Sequence, residues 1–199
     1  MVKKDTKIGC IACSVFKYEL EGLRKQGRIG FPVNYLNSML HMHPERLREK
    51  LDSTIEKIKK DNDRIILLYG VCHAYMSEQE KDPAVCRISS KNCAEMIVGP
   101  DLYKKLLNEG VFFMLPEWTH RWRTVFVEEI GFTETTGKEI MREMHNKLLY
   151  IDTGQIPIPF GSLREASDFL GLPWEILEIG PTHFLEAIKE TIAKLDKTQ

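Results

Sequence analysis

The chain has 199 residues, 43% of them hydrophobic, enough for a substantial buried core and compatible with one domain. Its 28 basic and 29 acidic side chains nearly cancel, so no global field favours nucleic acid or an anionic membrane surface, and neither is expected as a partner. The apolar stretch near the start is interrupted by Lys17 and Glu19, too short for a signal-peptide core or a membrane span, and a cytoplasmic location is expected.

The first element is a short buried strand from Lys7 to Ser14, followed by a helix from Tyr18 to Gln26 that ends at Gly27. After His43 and Pro44, the residues Leu47, Leu51, Ile55 and Ile58 recur at helical spacing, and the charged run Lys57 to Asp63 closes that helix. The apolar run Arg64 to Val71 is a strand that stops on Gly70, Cys72 and His73. Ala84 to Ile88 is another strand, Ser89 and Ser90 precede a helix through Cys93, Met96 and Ile97, and Pro100 starts a helix to Asn108 that Gly110 ends. Val111 to Leu115 is a strand, Trp118 to Ile130 mostly helix, Thr136 to Asn146 helix, and Lys147 to Ile151 a strand ended by Asp152, Thr153 and Gly154. A loop from Gln155 to Phe160 with two prolines leads to a helix over Ser162 to Leu170, a strand over Trp174 to Ile179 and a helix over Thr182 to Leu195.

Short strands that are apolar on both faces, each followed by a helical segment, imply a parallel sheet covered on both sides. The expected fold is a three-layer, Rossmann-like α/β sandwich with one mostly parallel sheet, and residues 1–199 form a single α/β domain. The stretch Gln155 to Gly161 is its weakest seam.

Open parallel sheets bind ligands at the carboxyl ends of their strands. Three such ends carry cysteine: Cys13 after the first strand, Cys72 after the second and Cys93 after the third. Five cysteines, an odd number, with no export signal favour free thiols, metal ligands or catalytic groups over a disulfide framework. Thiolates are soft anionic donors suited to zinc, iron or an iron–sulfur cluster. Cys10 and Cys13 have the spacing of a chelating pair, but in extended chain they point to opposite faces, so Cys10 reads as a core residue. Cys86, in mid-strand, reads the same way. Ahead of the second helix, His41 or His43 can ligate a metal or cap the turn. His73 is also a possible ligand, although adjacency to Cys72 makes joint chelation of one ion awkward. Trp118 and Trp122, four residues apart, share a helix face and serve as core or pocket wall. No dinucleotide-binding, phosphate-loop, nucleophile-elbow or HExxH signature occurs.

The ordered segments IACSVFKYEL, LHMHPERL, LLYGVC, NCAEMIVGPDLY and GVFFMLPEW resemble a domain-of-unknown-function family of methanogenic archaea and anaerobic bacteria, often encoded near corrinoid-dependent methyltransferases. By this resemblance Cys13, His41, Cys72 and Cys93 correspond to the family's recurring cysteine and histidine positions. The chain departs from the family pattern with His73 in place of a glycine, Asn92 in place of an aspartate, and Glu117 in place of a glycine.

The expectation is therefore a metal- or metal-cofactor-binding protein. Its ligands are Cys13, His41, Cys72 and Cys93, with Trp118 and His73 as cofactor-binding residues. Zinc is the first choice, with iron, an iron–sulfur cluster or a corrinoid as alternatives. The resemblance implies one-carbon methyl-transfer metabolism and a corrinoid protein or methyltransferase as partner. Two rival readings are a non-catalytic accessory module for a methyltransferase and a metal-free enzyme with Cys72 or Cys93 as nucleophile and His41 or His73 as base.

Overall fold

Seven strands among the described residues form two all-parallel sheets, where the sequence suggested one. The computed structural model describes residues 6–72, 76 and 78–197. Strands β1 (Ile8–Cys13), β2 (Val33–Leu36), β3 (Arg64–Leu68) and β4 (Val85–Arg87) make the first sheet, in the order β2-β1-β3-β4. Strands β5 (Val111–Met114), β6 (Lys147–Asp152) and β7 (Trp174–Glu178) make the second, in the order β5-β6-β7. The helices are α1 (Lys17–Lys25), α2 (Pro44–Ile58), α3 (Cys93–Val98), α4 (Pro100–Asn108), α5 (Pro116–His120), α6 (Glu134–Met144), α7 (Phe160–Leu170) and α8 (Thr182–Lys197). The fold is α/β, with parallel sheets flanked by helices. No helix among the described residues is long and apolar enough to cross a membrane.

The single-sheet expectation fails because a strand's composition records that both its faces are buried, not which strand it pairs with. The parallel neighbour of β5 is β6, in register Val111 with Lys147, and the chain between β4 and β5 is spent on α3 and α4. The expected periodicity of α2 holds: Leu47, Leu51, Ile55 and Ile58 all face the core. Each such burial stabilises by about 1.5–3 kcal/mol. The sequence reading missed β2, a short edge strand with every residue only half-buried, so it lacks the apolar run that marks the other strands. The helix expected from Trp118 to Ile130 is broken. Arg121, at φ −120° and ψ 36°, ends α5, and a π-type turn over Thr124–Glu129 follows. Trp118 and Trp122 therefore do not share a helix face: Trp122 is buried in the second sheet's core, and Trp118 lies where the two cores meet.

Two devices join the sheets. Helix α8, which follows the last strand of the second sheet, returns to pack on α3, β3 and β4 of the first. Its Phe184 ring lies 4.9 Å from that of Phe16, just after β1. The second joint lies at the expected weak seam and pins its first residue. Glu19, Gly22 and Gln26 present one face of α1 to the loop after β6. Thr153 Oγ1 donates to Glu19 Oε1 at 3.1 Å, and Gln26 Nε2 donates to Gln155 Oε1 at 3.1 Å. Gly22 leaves room for this loop, because a Cβ there would fall 1.9 Å from Gln155 Oε1.

Glu19 is fully buried, and its Oε2 has no hydrogen-bond partner. Burial, with a smaller push from the Glu117 carboxylate, raises its pKa from 4.5 to about 7, against the hydrogen bonds that it accepts. The folded protein thus holds a proton that the unfolded chain releases, so the stability conferred is full below about pH 4.5 and declines as pH rises to about 7. Glu19→Gln should remove this slope: between about pH 5 and about pH 8 the wild type should lose on the order of 3 kcal/mol more than the variant in urea unfolding. Equal pH dependence in both proteins would show that Glu19 is ionised in the fold. A second prediction concerns packing at Gly70, where a Cβ would lie 2.5 Å from Asn92 Cα. Gly70→Ala should cost about 1–3 kcal/mol in the same assay. Gly161→Ala, in α7 with nothing within 4 Å of its added Cβ, should be neutral or stabilising by less than about 1 kcal/mol.

Candidate functional site

Strands β1 and β3 lie side by side, but their connections run to opposite flanks, β1 to β2 and β3 to β4. Such a reversal opens a crevice at the carboxyl ends of the central strands, the usual ligand position in open parallel sheets. Cys13 is the last residue of β1, Cys72 follows β3 after a short turn, and Cys93 opens α3 after β4.

The turn after β3 explains why an apolar strand ends in Gly70 and Cys72. Val71 N–H donates to Lys91 O at 2.9 Å, and Gly70 packs directly on the Asn92 backbone. Any side chain at position 70 would hold the two loops apart. Their contact carries Cys72 up to Cys93. Asn92 fixes the other side: its Oδ1 accepts from Glu95 N–H at 3.0 Å, capping α3, and its Nδ2 donates to Tyr103 Oη at 2.7 Å.

Cys13, Cys72 and Cys93 line one cavity, with Cys93 in hydrogen-bond interaction with the other two thiols. These hydrogen bonds, together with burial, hold Cys93 well above the ordinary thiol range. Cys72 is lowered, first by its hydrogen bond from Cys93, then by a backbone hydrogen bond from Gly70 and the Arg87 guanidinium, and burial opposes the shift. Beside them, Tyr69 Oη is buried without a hydrogen-bond partner, and burial followed by the charges of Cys13, Cys93 and Cys72 pushes its pKa well up. It is a phenol donor available to a bound group. Cys10 is fully buried, and burial pushes its thiol far up. Cys86 is half-buried on β4, also raised chiefly by burial. Neither lines the cavity.

The thiols open into a cavity of about 380 Å³ that is also lined by His41 and Trp118. His41 Nδ1 hydrogen-bonds the Ser38 carbonyl. A carbonyl only accepts, so Nδ1 carries a proton, and in the neutral ring Nε2 is the nitrogen that offers a lone pair. The imidazole stacks on Trp118, with centroids 5.5 Å apart and planes 25° apart. Buried Ser38 anchors this pair. Its Oγ accepts from Trp118 Nε1 at 3.2 Å and from Arg121 Nη2 at 2.9 Å, and donates to Glu117 Oε2 at 3.3 Å. Glu117 pairs with Arg121 at 2.6 Å, and burial raises its pKa. Glu117 thus braces the tryptophan from behind and is absent from the cavity lining.

Among the described residues, no three His, Cys, Asp or Glu side chains form a ready-made metal site. The thiols are gathered as hydrogen-bonded sulfurs, and a shared ion would require their side chains to turn toward one point. His43, the residue before α2, is exposed and lies outside the cavity lining. His73 lies outside the described residues.

Sequence reasoning missed the opposite wall. Phe112 and Phe113 of the edge strand β5 face the thiols' cavity, with Tyr103 of α4 and His145 ahead of β6. Tyr103 stacks on Phe113 at 5.2 Å, and His145 meets Phe112 edge-on at 5.1 Å. Their signal was present as aromatic residues within β5 and α4, but only the second sheet brings them opposite the first. None of the lining residues is a carboxylate, and Lys91 stands among them.

No curated protein matches the sequence. Among solved structures, the trehalose repressor from Escherichia coli is similar, with a TM-score of 0.41 and 12% identity, over 98% of this chain and 93% of that one. Residues 35–188 match the family described as "Protein of unknown function (DUF1638)", which spans most of the sequence including His41, Cys72 and Cys93, and the chain belongs to that family.

Proposed function

We propose that the protein binds a soft metal ion, zinc before iron, or a metal-bearing cofactor, through the thiols of Cys13, Cys72 and Cys93. The observation that carries this reading is that three thiols from three separate strand ends line one cavity at the switch point of the first sheet. His41 fits as a fourth ligand: its Nδ1–H is held by a backbone carbonyl, the common outer support of an imidazole that ligates through Nε2. Three thiolates and an imidazole make a closed zinc site, whereas fewer protein ligands leave a position for a substrate thiol or a cofactor-derived group. Bound zinc would supply stabilisation of a thiolate nucleophile. The chain's own residues hold the donors, and Trp118 with Phe112 and Phe113 gives the space in front of them apolar walls. The family resemblance adds the context of corrinoid-linked one-carbon methyl transfer, with a methyltransferase or corrinoid protein as partner.

Metal analysis of protein prepared without oxygen tests the reading. Wild type and Cys86→Ser should each hold about one zinc per chain, whereas Cys72→Ser and Cys93→Ser should lose most of it, since serine is a poor soft-metal ligand at neutral pH. His41→Ala should weaken binding by about tenfold or more if the imidazole is a ligand. Thermal unfolding of each variant separates ligand loss from loss of fold. Metal held equally by folded Cys72→Ser, Cys93→Ser and wild type would place the ligands elsewhere and overturn the proposal. Wild type that binds no zinc, iron or cobalt when reconstituted would do the same.

A further inference from the structure

The three thiols of the cavity are not equivalent, and the difference points to a second activity of the same site. Cys72 and Cys93 line it from two loops that touch, whereas Cys13 ends β1. The approach of Cys93 to Cys72 is built into the backbone: the Val71–Lys91 hydrogen bond and the Gly70–Asn92 contact hold the two loops together immediately beside these cysteines. Disulfide formation needs thiols on backbones already close, with α-carbons within about 7 Å, and no large movement is required of loops in such contact. Access is also graded. Cys13 is only 6% exposed, whereas Cys72 and Cys93 are both half-buried; Cys72 follows Val71, which is 59% exposed, and Cys93 precedes Ala94, which is 8% exposed. The open side of the pair is therefore that of Cys72.

We infer that Cys72 and Cys93 form a dithiol couple that exchanges with small disulfides entering the cavity, Cys72 as attacking sulfur and Cys93 as resolving sulfur. In the first step the Cys72 thiolate attacks one sulfur of the small disulfide. The old sulfur–sulfur bond breaks, a mixed disulfide forms on Cys72, and one small thiolate leaves. That thiolate takes up the Cys93 proton. The Cys93 sulfur then attacks Cys72, the protein disulfide forms, and the second small thiolate leaves with the proton that Cys72 originally gave up. In sum two protein thiols are oxidised by two electrons and one small disulfide is reduced to two thiols. Closure of this bond removes two of the three thiolates from the proposed metal site, so the inference rests on that reading for its regulatory consequence but not for its chemistry.

The test mixes reduced, metal-free protein with oxidised glutathione under nitrogen and follows intact mass and mapped peptides. Wild type and Cys86→Ser should form a Cys72–Cys93 disulfide with no lasting adduct. Cys93→Ser should stop at glutathione bound to Cys72, and Cys72→Ser should react at least about tenfold more slowly. A wild type that keeps its adduct, a disulfide mapped to Cys13, or Cys72→Ser reacting at the wild-type rate would overturn the inference. Zinc added first separates the two proposals. Exchange that zinc does not slow leaves the couple standing and counts against the metal site, whereas zinc binding by protein that never forms the disulfide sustains the metal site and removes the couple.

Discussion

The backbone contact between the turn after β3 and the loop after β4 organises the functional end of this molecule. A single hydrogen bond, Val71 N–H to Lys91 O, and the absence of a side chain at Gly70 lay one loop on the other. From that contact follow the meeting of Cys72 with Cys93, the Asn92 cap on α3 and the Asn92–Tyr103 hydrogen bond that sets one cavity wall. The hydrogen bond alone is worth only about 1 kcal/mol. Its influence comes from where it lies, between the two segments that turn away from the ends of β3 and β4.

The cavity is a product of two sheets. The first supplies sulfur at its carboxyl edge, and the edge strand of the second supplies aromatic rings. They are held in register by the α1 face that receives Thr153 and Gln155, and by α8, which completes the first sheet's core after the chain has built the second. A buried carboxyl in the first of these joints is tolerated because it is held protonated to about neutral pH. The joint therefore responds to pH, whereas the hydrophobic return of α8 does not.

Around the thiols the polar groups divide into those already satisfied and those kept in reserve. Ser38 is saturated by Trp118, Arg121 and Glu117, which fixes the indole and the stacked imidazole. Glu117, at a position that invites a catalytic reading, is occupied in this bracing. Tyr69 Oη and His41 Nε2, in contrast, are polar atoms beside the thiols whose protein partners do not use them. On the proposed reading, soft donors, an imidazole and a phenol donor within aromatic walls suit a metal-centred guest better than a polyanion.

Sequence alone determined most of the elements, though not β2 or the break after α5, and the placement of three cysteines at strand ends. Helical spacing of Leu47, Leu51, Ile55 and Ile58, Pro100 as a helix start, and apolar runs at Arg64, Val111 and Lys147 are local signals, because periodicity and turn chemistry act over a few residues. Placement at strand ends likewise separated Cys13, Cys72 and Cys93 from Cys10 and Cys86, since in a parallel sheet all carboxyl ends lie on one edge. Tertiary structure decided the rest. Whether β5 would extend the first sheet or begin another depends on pairing across long sequence separations, which no local pattern encodes. The break at Arg121 that sends Trp118 to the cavity and Trp122 to the core, the gathering of Cys13, Cys72 and Cys93 on one cavity, and the aromatic wall facing them arise from packing between segments distant in the chain.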